Sequence, residues 1–302
     1  MRNYKKEFVN YLMELCGCGL RSTWEVWKDF IDISSISFSN IFKEQTGTLL
    51  CIREDIWNKR EDEYLSIIHK YAEAESSLFT KMLAVVIGAY EANSAQDFLG
   101  ELYMDLNLGS KSKNQYFTPY RIAEMMSKLQ SINNFGNEFK RKGYISVADP
   151  TCGSGVMLLA FANVCKSDYN INFQNSVLFV AQDIDPTVAK MCYIQLSILG
   201  CAGYVVIGNS LLPPINRVSI YSDENVWITP MLFSYDWRKK ISEQIKDSVI
   251  IKPRVSCFEH EQLIDIEHVP ISTSPFMLKK IITDIKETLK DEIKRKNNKS
   301  DK

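Results

Sequence analysis

Apolar residues recur at three- and four-residue steps through the first hundred positions, then give way to short apolar runs that each end in a polar turn. The first pattern predicts helices. Asp62 to Glu91 has helix-forming composition, and Ser94 is placed to cap a helix that buries Phe98, Leu99, Leu102, Tyr103 and Leu106. The second pattern predicts strands alternating with helices. Tyr144 to Ala148 are β-formers, Asp149-Pro150 breaks the run, and Val156 to Val164 resume helical spacing beyond Gly153 and Gly155. Val177 to Ala181 ends in Gln182-Asp183, after which Asp185-Pro186 opens a helix with apolar Val188, Cys192, Leu196 and Leu199. Tyr204 to Ile207 ends in Gly208-Asn209-Ser210-Leu211. Such alternation is the mark of an α/β fold with a parallel sheet.

The turns are where chemistry is expected. In a parallel sheet they lie at the carboxyl ends of the strands, where ligands bind and the following helix points its amides outward. Glycines at 153 and 155 let backbone approach a ligand, and Asp183 offers a fixed acceptor for ribose hydroxyls. The gap from Gly155 to Asp183 exceeds the ~20 residues of a dinucleotide fingerprint and its third glycine is absent, which argues against NAD. Upstream, Gln115-Tyr116-Phe117-Thr118-Pro119 leads into a helix with Thr118 as N-cap, Pro119 at the first position, and Ile122, Met125, Met126 and Leu129 on one face.

Taken in order, QYFTP, DPTCGSG, AQD-x-DP and GNSL resemble the cofactor site of the N6-adenine DNA methyltransferases. The likeness, over about residues 95 to 211, is to the branch of the type I restriction-modification modification subunits. Asp97-Phe98-Leu99-Gly100-Glu101-Leu102-Tyr103 is similar to the lead-in of short phage- or plasmid-type members. The resemblance implies a Rossmann-like S-adenosylmethionine-dependent methyltransferase fold, in shortened form, behind a helical N-terminal region. It implies that Phe117, Thr118 and Pro119 hold the methionine part of S-adenosylmethionine. Asp149, Cys152, Gly153 and Gly155 would surround its amino-acid and sulfonium region, Asp183 its ribose, and Asn209, where the family commonly has Asp, its adenine.

The family's Asn-Pro-Pro-Tyr or Asn-Pro-Pro-Phe loop, which holds the extruded adenine, is missing from the sequence. Leu212-Pro213-Pro214-Ile215 has the prolines without amide or ring and reads as a loop. Thr229-Pro230, after the apolar run Val226-Trp227-Ile228, stands at about the distance of a fourth strand. It is the candidate for a degenerate substrate loop, with Trp227 or Phe233 supplying the stacking ring.

Composition adds limits. The 302 residues, 45% of them hydrophobic, suffice for a sizeable core, and a net charge of −1 predicts no overall attraction to nucleic acid. Any DNA contact must therefore use a local basic patch or a partner, and a partner specificity subunit is expected to supply sequence selectivity, with an oligomer left open. The longest apolar run, Met82 to Tyr90, is too short for a bilayer, so no membrane association is expected. Eight scattered cysteines and three histidines without zinc spacing predict no metal and a reduced, cytoplasmic setting. Three regions are expected: helical residues 1–110, a cofactor domain at 111–232, and an extension at 233–302 ending in a basic amphipathic helix from Pro275. The function expected is methyl transfer from S-adenosylmethionine to adenine in DNA. The alternative is a cofactor-binding, catalytically silent regulatory or structural subunit.

Overall fold

The computed structural model describes residues 2–41, 52–109, 116–129, 139–140, 142–211 and 223–248. The segments 212–215 and 275–302, read above as a loop and a basic helix, lie outside the described residues, as does Gln115. Five helices come first: α1 (Tyr4–Cys16), α2 (Thr23–Ser39), α3 (Glu54–Ile68), α4 (Glu73–Ala92) and α5 (Phe98–Asp105). Side-chain caps set the starts of α1, α2 and α5. Asn3 accepts from Lys6 N and Ser22 from Glu25 N. At α5 the cap is Asp97, whose carboxylate accepts from Gly100 N at 3.0 Å. Ser94, the expected cap, instead donates to Asn163 Oδ1 on a later helix. Phe98, Leu99, Leu102 and Tyr103 are buried as expected, and Leu106 is half-buried.

The helix α6 (Tyr120–Leu129) starts one residue later than predicted, with the Pro119 carbonyl accepting from Ile122 N and Ala123 N. The chain then alternates through β1 (Ile145–Asp149), α7 (Val156–Tyr169), β2 (Val177–Asp183), α8 (Pro186–Ile198) and β3 (Ala202–Ile207). It ends in β4 (Val226–Ile228), a 3₁₀ turn (Pro230–Phe233) and α9 (Tyr235–Ser248). The sheet order is β1-β2-β3-β4, parallel through β3, with β4 antiparallel. Asp149 stands opposite Ala181 and Asp183 opposite Ile207, so the three parallel strands finish on one rim. This is the α/β arrangement that the alternation predicts, in the Rossmann-like form that the resemblance implies.

Because α8 packs on β2 and β3 with one side and on α2 with the other, almost every residue of it is buried, Lys190 and Gln195 included. Burial of a lysine requires a partner. Lys190 Nζ lies 2.7 Å from Asp32 Oδ1 on α2, tying the outer helical layer to the sheet layer. The resulting apolar core runs without a break from Phe8 and Trp27 through Tyr103 to Phe179 and Trp227. A second cluster, with Tyr144, Val206, Phe233 and Trp237, fills the opposite face of the sheet. Among the described residues no helix is long and apolar enough to cross a membrane, and no group of three His, Cys, Asp or Glu could hold a metal ion.

Candidate cofactor site

The turn after β1 is held in place by β2. Cys152 N donates to Gln182 O at 2.9 Å, and Gly153 N donates to Asp183 Oδ2 at 2.9 Å. The other oxygen of Asp183 accepts from Asp185 N at 2.9 Å, so one carboxylate fixes both the glycine loop and the start of α8. A carboxylate has about four acceptor positions, and these two amides leave capacity for further donors from the half-buried rim. Asp149 Oδ1 accepts from Thr151 N at 3.1 Å. Burial, and secondarily the neighbouring Asp183 carboxylate, push the Asp149 carboxyl above its ordinary value. Two carboxylates thus share this end of the sheet, an arrangement that favours a cationic occupant.

Gly153 and Gly155 adopt φ of +54° and +94°, where a side chain is strained. Space forbids one at residue 155 as well, since a Cβ there would lie 2.7 Å from Cys192 Sγ on α8. Cys152 is buried, and its thiol contacts that of Cys192, whose pKa is raised first by this contact and then by burial. Both cysteines therefore pack the loop onto α8. The ring of Phe117 covers Gly153, its edge carbons 3.4 Å from where a Cβ would stand, and Tyr103 of α5 backs that ring at 5.4 Å between centroids. Thr118 is half-buried and Pro119 exposed beside it.

At the third strand tip, Gly208 N donates to Asp183 O at 2.9 Å, joining this turn to the second. Asn209 is exposed and its Oδ1 accepts from Leu211 N at 2.9 Å, which commits the carbonyl to the turn and leaves the amide group as a donor.

The structure therefore brings Phe117, Asp149, Cys152, Gly153, Gly155, Asp183 and Asn209 to one rim. It does not bring Thr229 and Pro230 there, and the expectation of a substrate loop at these residues is corrected. β4 runs antiparallel, with Ile228 opposite Tyr204, so its end points to the amino-terminal edge of the sheet. Thr229 is fully buried there, accepting from Gly203 N and donating to Cys201 O at 2.7 Å. Trp227 is buried between Arg60 and Lys190, whose charged groups lie 3.9 and 4.8 Å from its rings, and Phe233 is buried too; neither can stack on a base.

A polar cluster beneath the loop escaped the sequence reading. Asp97 is wholly buried and accepts from Gly100 N, from Gln195 Nε2 at 2.8 Å and from the Ser154 hydroxyl. Gln195 also donates to Ser154 O at 2.8 Å, while its carbonyl accepts from Leu99 N and the Tyr90 hydroxyl. This network clamps the glycine loop to α5 and α8. Asp97 could have been found as an Asp three residues before a glycine at a helix start, but nothing near Gln195 in the sequence points to its partners.

Residues 94–258 match the model of the N-6 DNA Methylase family. Among solved structures, one that matches is a Listeria monocytogenes protein provisionally named a class I S-adenosylmethionine-dependent methyltransferase, at 15% identity and a TM-score of 0.37. The match covers 70% of this chain and 54% of that one, so the chain spans about half the length of this solved relative. No curated protein matches.

Proposed function

We propose, from the premise that this chain belongs to the N-6 DNA methylase family, that its carboxyl rim binds S-adenosylmethionine for methyl transfer to adenine in DNA. Membership carries the coarse class, an S-adenosylmethionine-dependent methyltransferase domain; the acceptor and the residue roles belong to the proposal. The observation that supports it is the meeting of three sequence motifs at one point: Gly153 is bonded to Asp183 and covered by Phe117.

The residues fit the cofactor's chemistry. Its ribose hydroxyls need a fixed acceptor, and Asp183 is held by two amides with acceptor capacity to spare. Its ammonium and sulfonium are cationic, and Asp149 supplies a carboxylate whose ionisation a cation would favour. The left-handed glycines remove side chains where the ligand must come close, and Phe117 offers an apolar wall for the methionine chain, with Thr118 and Pro119 beside it. Asn209, with its carbonyl engaged, would donate its amide hydrogens to an adenine ring nitrogen.

Once bound, S-adenosylmethionine supplies an electrophilic methyl group: a carbon–nitrogen bond forms to the exocyclic amine, the carbon–sulfur bond breaks, and the amine's proton leaves to water. The chain's part is placement, since a weak amine nucleophile gains most from being held in line. DNA would be presented by a separate specificity subunit, in keeping with a net charge of −1. A tritiated-methyl assay on unmethylated genomic DNA, with and without host-cell extract, tests this. Label recovered as N6-methyladenine is the expected result. Cofactor binding with no label in any DNA would overturn the transfer half and leave a cofactor-holding subunit.

A further inference from the structure

Phe117 reaches the rim from residues 116–119, which are neither helix nor strand, so packing rather than a backbone ladder decides where its ring lies. The ring meets Gly153 along one edge and Tyr103 at 5.4 Å between centroids, with 32° between the ring planes. Tyr103 is itself held. Its ring is buried, with Trp27 at 6.1 Å and Trp24 at 6.3 Å, both on α2. Three residues earlier, on the same face of α5, Gly100 leaves room for the bond between Asp97 and the Ser154 hydroxyl, both of which a Cβ there would strike. That contact fixes how closely α5 approaches the glycine loop, and so where Tyr103 stands.

We propose that Tyr103 is a positioning residue for the cofactor, holding the ring of Phe117 against Gly153 so that the wall for the methionine chain is in place before the ligand arrives. The role rests on the reading of the rim as an S-adenosylmethionine site, and it makes the helical layer a part of that site. Rings run from Trp27 through Tyr103 to Phe117, joining α2 to the glycine loop. Aromatic pairs at such separations contribute beyond the area they bury. Without the ring of Tyr103 a void opens behind Phe117, and a half-buried ring on irregular backbone is free to turn into it, away from Gly153. A ligand must then immobilise Phe117 again as it binds.

Two readouts on the full chain test this. Without ligand, the ring current of Phe117 displaces the Cα proton resonances of Gly153. Tyr103→Leu is expected to bring them to the positions found in Phe117→Leu, while Tyr103→Phe leaves them in place. In calorimetry, Tyr103→Leu is expected to weaken S-adenosylmethionine binding about tenfold, the size of ordering one more side chain. Tyr103→Phe should stay within about twofold, and Tyr103→Leu added to Phe117→Leu should weaken binding no further. Phe79→Leu removes a buried ring packed on Tyr71, away from Phe117, and should lower stability with affinity unchanged. Tyr103→Met, which fills more of the volume with a flexible chain, repeats both readouts where Tyr103→Leu does not fold. Unmoved Gly153 resonances or unchanged affinity in Tyr103→Leu would overturn the proposal. So would additive losses in the double variant, or an equal loss of affinity in Phe79→Leu. Failure of the unaltered chain to bind S-adenosylmethionine would instead sink the reading of the rim, and this role with it.

Discussion

Asp183→Ala is expected to weaken S-adenosylmethionine binding by about 3 kcal/mol, roughly 150-fold, in calorimetric titration. The size follows from a double task. The carboxylate would accept the ribose hydroxyls, and it already orients Gly153 N and Asp185 N, so its loss removes ligand contacts and frees the loop that carries Gly153 and Gly155. Charge-assisted bonds of this kind contribute about 1.5–3 kcal/mol each. Asp183→Asn keeps one acceptor for one of the two amides and should lose only about tenfold, or roughly 1.4 kcal/mol. The ordering Ala below Asn below Asp separates an acceptor role from simple helix capping. A cofactor affinity changed less than threefold in Asp183→Ala would contradict the assignment of this residue.

The second large effect is on stability. Asp97→Ala strips the partner from Gly100 N, Gln195 Nε2 and the Ser154 hydroxyl in a wholly buried setting, and unpaired buried donors cost about 1–3 kcal/mol each. A loss of about 3 kcal/mol in urea unfolding is expected. Asp97→Asn can keep all three contacts, its oxygen accepting from Gly100 and Gln195 and its amide donating to Ser154, so it should cost about 1 kcal/mol or less. The two carboxylate states also differ. Burial raises the Asp97 carboxyl above its unfolded value of 3.8. The unfolded chain therefore ionises first as pH rises, and the stability that Asp97 contributes falls between 3.8 and its raised value. Wild type should accordingly lose stability relative to Asp97→Asn as pH rises through that window. Equal stabilities of Asp97→Ala and wild type would show that the network does not hold the loop.

The parts legible in the sequence were those governed by local rules. Three strands, two crossover helices and the polar tip of each strand followed from alternation, glycines and capping acids. Asp185 with Pro186 behaves as an N-cap and first-turn proline should, accepting from Thr187 N and Val188 N. The misreadings came from long-range packing. Ser94 has the chemistry of a cap, yet its hydroxyl is claimed by Asn163, 69 residues away, and Asp97 takes the role. The apolar face of α6 was legible as a face, but the side buried against α7 is formed by Tyr120, Ala123 and Ser127 instead. Thr229-Pro230 lay at the right distance for a fourth parallel strand, and only the antiparallel pairing of β4 sends it to the other edge. Gln195, which touches Asp97, Ser154, Leu99 and Tyr90 at once, carries no local mark of that role.

The central claim is that one nucleoside cation lies across the tips of β1, β2 and β3. Titrating the full chain with S-adenosylmethionine while following backbone amide resonances tests it most directly. The account predicts saturable shifts concentrated at Gly153, Asp183, Asn209 and the segment around Phe117, with Thr229 and Trp227 unmoved. Shifts absent at saturating ligand, or gathered away from these strand tips, would contradict it.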